Sequence, residues 1–238
     1  MSLYVHSTAG HENKFEELIC FLSDRGYLFK NPGEFLTAEG NICCLSFDDN
    51  FRWWLRILPI LEKYRAHATF YVNSWPFRDR VSEMDVRHYL RTVAAEEETT
   101  LSTAELREIV AAGHLVGAHT HTHPVLTSLS EETARDEIRI CREELGSVLG
   151  RPPEHFAYPF GMRRHFSRSL RDYCRSIGFT TIANAIPCMQ YADSRADSLH
   201  RSVWFLNRPL AFNLDNVCID GRVFAFLTGR SAAGGDFS

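Results

Sequence analysis

The sequence lacks the features that mark membrane-spanning, nucleic-acid-binding and secreted proteins. No apolar run reaches the ~18–20 residues that a membrane helix needs, so no membrane span is predicted. The 26 basic and 30 acidic residues are spread along the chain and give a net charge of −4, which argues against a nucleic-acid partner. The first residues, MSLYVHSTAGHENKFEE, contain neither the basic nor the apolar segment of a signal peptide.

The cysteines do not form a disulfide or zinc-finger pattern. They are odd in number, include no CxxC pair and lie mostly inside apolar stretches, at positions 20, 43, 44, 141, 174, 188 and 218. We therefore predict reduced thiols in the core. Together with the missing signal peptide, this predicts a cytoplasmic protein. Nothing in the composition indicates the oligomeric state.

What the sequence does contain is a regular alternation of short β-type runs and helix-like stretches. Six runs have the composition of strands, at residues 3–5, 42–47, 68–72, 115–118, 156–158 and 179–182. Two helices are predicted by their terminal residues, one from Ser102 to Gly113 and one from Ser130 to Gly150. This alternation over 238 residues predicts a single α/β domain with a parallel sheet or barrel.

Three segments are less regular. Residues 51–64 predict a helix that its internal proline bends or interrupts. Residues 75–101 predict an exposed excursion with a short helix at 84–93, and the acidic triplet at 96–98 predicts a solvated surface. Residues 231–238 are small and glycine-rich, which predicts a disordered tail.

Two aspartates, Asp48 and Asp49, stand side by side at the end of the apolar run from Cys43 to Phe47. Adjacent like charges repel, and a sheet interior is a poor place for either charge. One explanation is that they cap the helix that follows. The other is a bound cation, with one carboxylate as its ligand and the other as the general base for a metal-bound water.

Three histidines at alternate positions favour the cation. His119 and His123 are four residues apart, so a helical or turn-like loop brings their Cβ atoms within about 5–6 Å of each other, while His121 points elsewhere. A chance surface cluster is the alternative. Two histidines and one carboxylate form an open site that is typical of hydrolytic zinc.

These stretches resemble the polysaccharide deacetylase family, the nodulation-type deacetylase homology domain of carbohydrate esterase family 4. The resemblance rests on SFDDN (46–50), HTHTH (119–123) and FAYPFG (156–161) and spans about residues 12–206. It implies a distorted (β/α) barrel of about seven parallel strands, with the metal at their carboxyl ends, in one domain over residues 1–230.

The resemblance also implies roles for individual residues. Asp48 would be the general base, and Asp49, His119 and His123 would hold a divalent metal. Zn²⁺ is the expected ion, with Co²⁺, Ni²⁺ or Mn²⁺ as alternatives. The backbone N–H of Phe160 would stabilise the oxyanion of the tetrahedral intermediate.

Several positions depart from the family pattern. Ala157 stands where the family has an arginine beside the base, and Asn50 replaces a glycine, which suggests a turn with positive φ that asparagine tolerates. The leucine-x-histidine segment that supplies the general acid has no counterpart. His200 and His165 are the candidate acids, and Arg201 is either structural or part of the site.

The predicted function is a metal-dependent hydrolase that removes an N-acetyl group from a sugar or oligosaccharide by attack of a metal-bound water. Its partner would be an N-acetylated carbohydrate or a small amide. Two alternatives remain: the same site acting on another small amide or formamide, or a catalytically silent module that binds carbohydrate or metal.

Overall fold

The computed structural model describes residues 1–187 and 196–218, and it contains a sheet of eight strands. All strand pairs are parallel, and the order is β7-β6-β5-β4-β3-β1-β8, with β2 beside β3 and outside this path. The strands are β1 (Ser2–Val5), β2 (Leu28–Phe29), β3 (Ile42–Asp49), β4 (Ala68–Val72), β5 (Leu115–Ala118), β6 (His155–Ala157), β7 (Thr181–Ala183) and β8 (Ser202–Val203). The tail predicted at 231–238 lies outside the described residues.

The seven strands of the main path curl into a distorted barrel. The first strand, β1, pairs with both β3 and β8, while an isolated parallel bridge joins Ala183 at the end of β7 to Leu199, shortly before β8. The prediction of about seven parallel strands in one (β/α) barrel domain is therefore confirmed. All six predicted strands exist: those at 68–72 and 115–118 have the predicted ends, and the ends of the other four shift by at most two residues.

Helices connect the strands. They are α1 (Glu12–Asp24), α2 (Pro32–Phe35), α3 (Leu58–Lys63), α4 (Glu83–Thr92), α5 (Thr103–Ala111), α6 (Glu131–Leu149), α7 (Arg168–Ser176) and α8 (Leu210–Cys218). The two predicted caps are present, because the Ser102 and Ser130 side chains accept backbone hydrogen bonds at the starts of α5 and α6, and Gly150 ends α6 at φ 77°. No helix within the described ranges is long and apolar enough to cross a membrane.

The predicted interruption in residues 51–64 is also confirmed. A 3₁₀ helix, Arg52–Ile57, precedes α3, and Pro59 lies in the first turn of α3. A proline is accommodated there because the first-turn N–H groups have no partner within the helix.

Strand β3 shows how the barrel sorts its side chains. Cys43, Leu45 and Phe47 belong to the main core, and the Phe47 ring stacks on Phe70 of β4 with centroids 4.7 Å apart. Cys44 belongs to the separate cluster inside the barrel. Since side chains alternate along a strand, Asp48 at the end of β3 also faces the barrel interior.

The short helix predicted at 84–93 exists as α4, but the prediction that segment 75–101 is exposed is wrong for much of its length. Helix α4 buries Val86, Tyr89 and Leu90, and Tyr89 donates a hydrogen bond of 2.8 Å to the Asn73 side chain. Glu96 and Glu97 of the acidic triplet are exposed as predicted, whereas Glu98 is buried and its carboxylate accepts a hydrogen bond from the Ser7 hydroxyl. The polar composition of the segment concealed these contacts.

Candidate metal centre and its pocket

Asp49, His119 and His123 converge at the carboxyl ends of β3 and β5, the two strands that flank β4 in the sheet. Asp49 Oδ1 lies 3.2 Å from His123 Nε2 and 3.7 Å from His119 Nε2, and one ligand atom from each residue falls within 4.8 Å of the others. All three side chains are buried. The alternative that Asp48 and Asp49 cap a helix is wrong, because both belong to β3 and the 3₁₀ helix that follows has Phe51 at its N-cap position.

The backbone around this cluster is held in an unusual conformation. Among the described residues, six that are not glycine have positive φ, and five of them lie in or beside the pocket: Asp49 (90°), Ala94 (54°), Thr120 (69°), His123 (65°) and Phe160 (63°). Such angles cost energy in residues with a Cβ and often occur at functional sites.

The predicted role of Asn50 needs correction, because the residue with positive φ is Asp49. The Asn50 amide instead ties two loops together. Its nitrogen donates to the Asn73 carbonyl at 3.1 Å, and its oxygen accepts from the Leu101 N–H at 2.9 Å.

The protonation states of the cluster suit a cation. His119 Nδ1 lies 2.7 Å from the Ala157 carbonyl, which can only accept a hydrogen bond, so Nδ1 carries the proton and Nε2 presents a lone pair towards Asp49. Burial lowers the pKa of His119 to about 4, which keeps the imidazole neutral near pH 7. Burial alone would raise the pKa of Asp49, but the hydrogen bond and charge of His123 lower it to about 2. This donor set therefore fits a divalent metal.

His121 points away from the cluster, as predicted. Its Nδ1 lies 2.9 Å from the Ser74 hydroxyl and 3.1 Å from the Glu144 carboxylate. It does not belong to the triad that the structure brings together.

Asp48 forms a buried ion pair with Arg201. The guanidinium donates from Nη1 and Nη2 to the two carboxylate oxygens at 2.6 and 2.7 Å, and Nη1 also donates to the Ser46 hydroxyl. Burial alone would lower the pKa of Arg201, but the Asp48 charge outweighs it and raises that pKa. The sequence left open whether Arg201 is structural or part of the site, and the structure places it, from the segment just before β8, against Asp48.

The triad and Asp48 share a pocket of about 430 Å³. Its other lining residues are Tyr4, His6, Thr92, Val93, Ala94, Tyr158, Phe160, Gly161 and Ala185. Neither candidate acid lines it: His200 Nδ1 lies 3.1 Å from the Asn184 side chain, and His165 Nδ1 accepts a hydrogen bond from the Met162 N–H.

His6 lines the pocket although sequence reasoning missed it. It follows the last residue of β1, the strand beside β3, and its charge contributes to the lowered pKa of Asp49. The signal was available, since His6 follows a predicted strand just as His119 follows β5.

Phe160 stands on a tightly packed turn. A Cβ on Gly161 would lie 2.2 Å from the Ala185 Cβ, so only glycine allows this approach, and the Ala185 N–H donates to the Gly161 carbonyl at 3.0 Å. Within residues 1–187 and 196–218, no hydrogen bond uses the Phe160 N–H. The Phe160 ring packs on His123 with centroids 5.0 Å apart.

Comparison with known proteins identifies the family to which this chain is similar. Residues 37–182 match the family described as polysaccharide deacetylase. A chitin deacetylase of Colletotrichum lindemuthianum is 24% identical over 177 residues, which cover 73% of this chain and 62% of that protein. A chitooligosaccharide deacetylase of Rhizobium leguminosarum bv. trifolii is 30% identical over 126 residues, which cover 52% of this chain and 48% of that protein. The chain thus spans only part of the length of these relatives.

Among solved structures, the deacetylase PplD of Streptococcus pyogenes, in complex with acetate, superposes with a TM-score of 0.73. The match covers 91% of this chain and 96% of that one, at 20% sequence identity. At this identity the likeness concerns the fold, which is shared over nearly the whole of both chains.

Proposed function

The chain belongs to the polysaccharide deacetylase family, and on that premise we propose that it is a metal-dependent hydrolase that removes the N-acetyl group from a sugar or an oligosaccharide. One observation carries the proposal: a single pocket holds both the Asp49, His119 and His123 triad and a separate carboxylate, Asp48, fixed by Arg201. The relatives named as deacetylases of chitin and chitooligosaccharides support the substrate class.

We propose Zn²⁺ as the ion. Two imidazole nitrogens and one carboxylate oxygen leave open positions for water and substrate, which is typical of hydrolytic zinc, while Co²⁺, Ni²⁺ and Mn²⁺ also accept such ligands. When bound, a divalent ion supplies Lewis acidity towards the amide carbonyl and lowers the pKa of a coordinated water.

In this proposal Asp48 is the general base. It accepts a proton from the attacking water, and its ion pair with Arg201 fixes the orientation of the carboxylate. A carboxylate has about four lone-pair positions, so the two bonds from Arg201 leave acceptor capacity for the water proton.

We assign the proton donor to His6, because among residues 1–187 and 196–218 it is the one histidine outside the triad that lines the pocket. Its imidazolium would protonate the leaving nitrogen as the C–N bond breaks, since an amine is a poor leaving group without that proton. The Phe160 N–H would donate a hydrogen bond to the oxyanion, a role that does not depend on the side chain.

Acetate release from N-acetylglucosamine oligomers, with added Zn²⁺ or Co²⁺, tests the proposal. We expect turnover by the wild type and a fall of ~10²–10⁴-fold in kcat for Asp48→Asn, which cannot accept the proton. The metal content of this variant should equal that of the wild type.

Two outcomes would contradict the proposal. Metal binding without turnover on sugars or small amides would favour the catalytically silent module. Turnover only on small amides or formamides would keep the site and exclude the carbohydrate substrate.

Two further predictions concern the chain as a whole. The cytoplasmic location rests on its thiols: five cysteines within the described ranges are free, and four of these are buried. Cell fractionation tests this location. Limited proteolysis tests whether residues 1–230 form one domain.

A further inference from the structure

The loop that carries the metal ligands is contacted from outside the pocket by helix α6. The Glu137 carboxylate accepts two hydrogen bonds from Thr122, one from its N–H at 2.8 Å and one from its hydroxyl at 2.7 Å. The Glu137 backbone carbonyl accepts a third bond, from the His121 N–H at 3.0 Å. A single helical residue thus engages two consecutive loop residues.

A second glutamate of the same helix, Glu144, contacts the loop two turns later. Its carboxylate accepts a hydrogen bond of 2.6 Å from the Ser74 hydroxyl and lies 3.1 Å from His121 Nδ1. Residues seven apart lie on the same face of a helix, so Glu137 and Glu144 present two carboxylates to one loop. Ser74 is buried two residues after the end of β4, so packing holds the partner of this second contact in place.

The position of these contacts in the loop is informative. His121 and Thr122 lie between Thr120 and His123, both of which have positive φ, at 69° and 65°. Left-handed backbone is disfavoured for residues with a Cβ, and most strongly for β-branched ones such as threonine. A loop free to relax would carry the His123 imidazole away from Asp49, now 3.2 Å distant.

We propose that Glu137 and Glu144 are positioning residues of the metal centre, which hold the 120–123 loop so that His119 and His123 face Asp49. The proposal rests on the metal-dependent function above. Neither glutamate belongs to the triad, so both act through the loop. Their free energy contribution lies in metal affinity, because the ligands are held in place before the ion arrives.

The test measures metal binding alone. The apo chain is titrated with Zn²⁺ by calorimetry, and its Co²⁺ form is examined by visible absorption. We expect the Glu137→Ala/Glu144→Ala variant to raise the dissociation constant ~10–100-fold, the range found when groups that orient metal ligands are removed, and to alter the Co²⁺ spectrum.

Two matched variants separate positioning from general damage. Glu143→Ala removes the neighbouring carboxylate, which pairs with Arg139 on the solvent side, and should leave both readouts unchanged. Glu137→Gln keeps one acceptor oxygen for Thr122 and should retain part of the lost affinity. Circular dichroism shows whether each variant is folded at the titration temperature. If the double variant is unfolded, the metal affinity of Glu137→Gln is the measurement that tests the positioning role.

Wild-type affinity and spectrum in the double variant, or in Glu137→Gln if the double variant does not fold, would overturn the positioning role and leave the proposed function intact. A wild-type chain that binds neither Zn²⁺ nor Co²⁺ would instead overturn the proposed function, and this inference with it.

Discussion

The barrel has a cavity at each end of its strands, and the two differ much more in chemistry than in size. The cavity at the carboxyl ends, with the triad, measures about 430 Å³, and the one at the amino ends about 490 Å³. The amino-end cavity is lined by His114 and His155 together with the prolines at 152 and 153. Volume and histidine content therefore do not separate the two.

Fixed charge and backbone strain do separate them. The carboxyl end holds a buried ion pair, two histidines against one carboxylate and five residues with unfavourable φ. At the amino end none of the lining residues has positive φ, and burial, followed by the charge of His67, lowers the pKa of His114 to about 4. The carboxyl-end pocket is thus distinguished by groups whose placement costs free energy, a property that clusters at functional sites in proteins generally.

The largest expected effect comes from removing a residue of the Asp49, His119 and His123 triad, the feature that most clearly distinguishes the carboxyl-end cavity from the amino-end one. We expect His123→Ala to weaken Zn²⁺ binding by more than ~100-fold, because removing a ligand exceeds the 10–100-fold effect of removing a group that orients one. His121→Ala should weaken it by less than ~10-fold on the same scale, since His121 contacts Ser74 and Glu144 instead. Metal analysis after dialysis measures both. Equal losses of bound Zn²⁺ in the two variants would contradict the assignment of His123, and not His121, as a metal ligand.

An intermediate effect compares one histidine from each cavity. We expect His6→Gln to lower kcat by ~10²–10⁴-fold, the contribution of a general acid, with metal content unchanged. His114→Gln at the amino end should leave kcat and metal content as they are. Steady-state kinetics of acetate release measures the contrast. A His6→Gln enzyme with wild-type kcat would assign the proton to another group.

The smallest effect concerns Glu98, whose carboxylate binds Ser7 beside His6. Burial raises the pKa of Glu98 from 4.5 to about 7, despite the hydrogen bond from Ser7 that lowers it. Between these values the folded chain binds more protons than the unfolded one, so this group makes the free energy of unfolding fall as pH rises from 4.5 to 7.

Glu98→Gln removes that titration. The free energy of unfolding of the variant minus that of the wild type should therefore rise as the pH goes from 4.5 to 7, and it should be constant outside this range. Urea denaturation at a series of pH values measures the difference. Glu97→Gln, a substitution at the exposed neighbouring residue, is the control. Its free energy of unfolding plotted against pH should run parallel to that of the wild type. Parallel curves for Glu98→Gln would contradict the raised pKa.

Local sequence predicted most of the fold. The strands at 42–47, 68–72 and 115–118 were recognisable because hydrophobic runs of that length next to capped helices have few other solutions. The same locality explains why Asp49 and the two histidines could be predicted to lie together, since Asp49 ends β3, the histidines follow β5, and parallel strands end at one edge.

The contacts that the sequence left open or did not predict share the opposite property. Arg201 meets Asp48 across 153 positions, and Glu98 meets Ser7 across 91. Neither contact leaves a local pattern, because a buried charge is tolerated only through a partner that folding brings from elsewhere. The positive φ assigned to Asn50 failed for a related reason, since the loop geometry follows from bonds to Asn73 and Leu101.

By itself, the sequence determined the alternation of strands and helices in a parallel α/β sheet or barrel, the two histidines and the pair of aspartates, because these depend on hydrophobic period, caps and ligand chemistry; the family resemblance then pointed to the barrel and to Asp49. Only the tertiary structure decided that Arg201 pairs with Asp48, that His6 joins the lining of the pocket and that Glu137 contacts the 120–123 loop. Those choices depend on which strand ends become neighbours when the sheet closes, with β1 between β3 and β8.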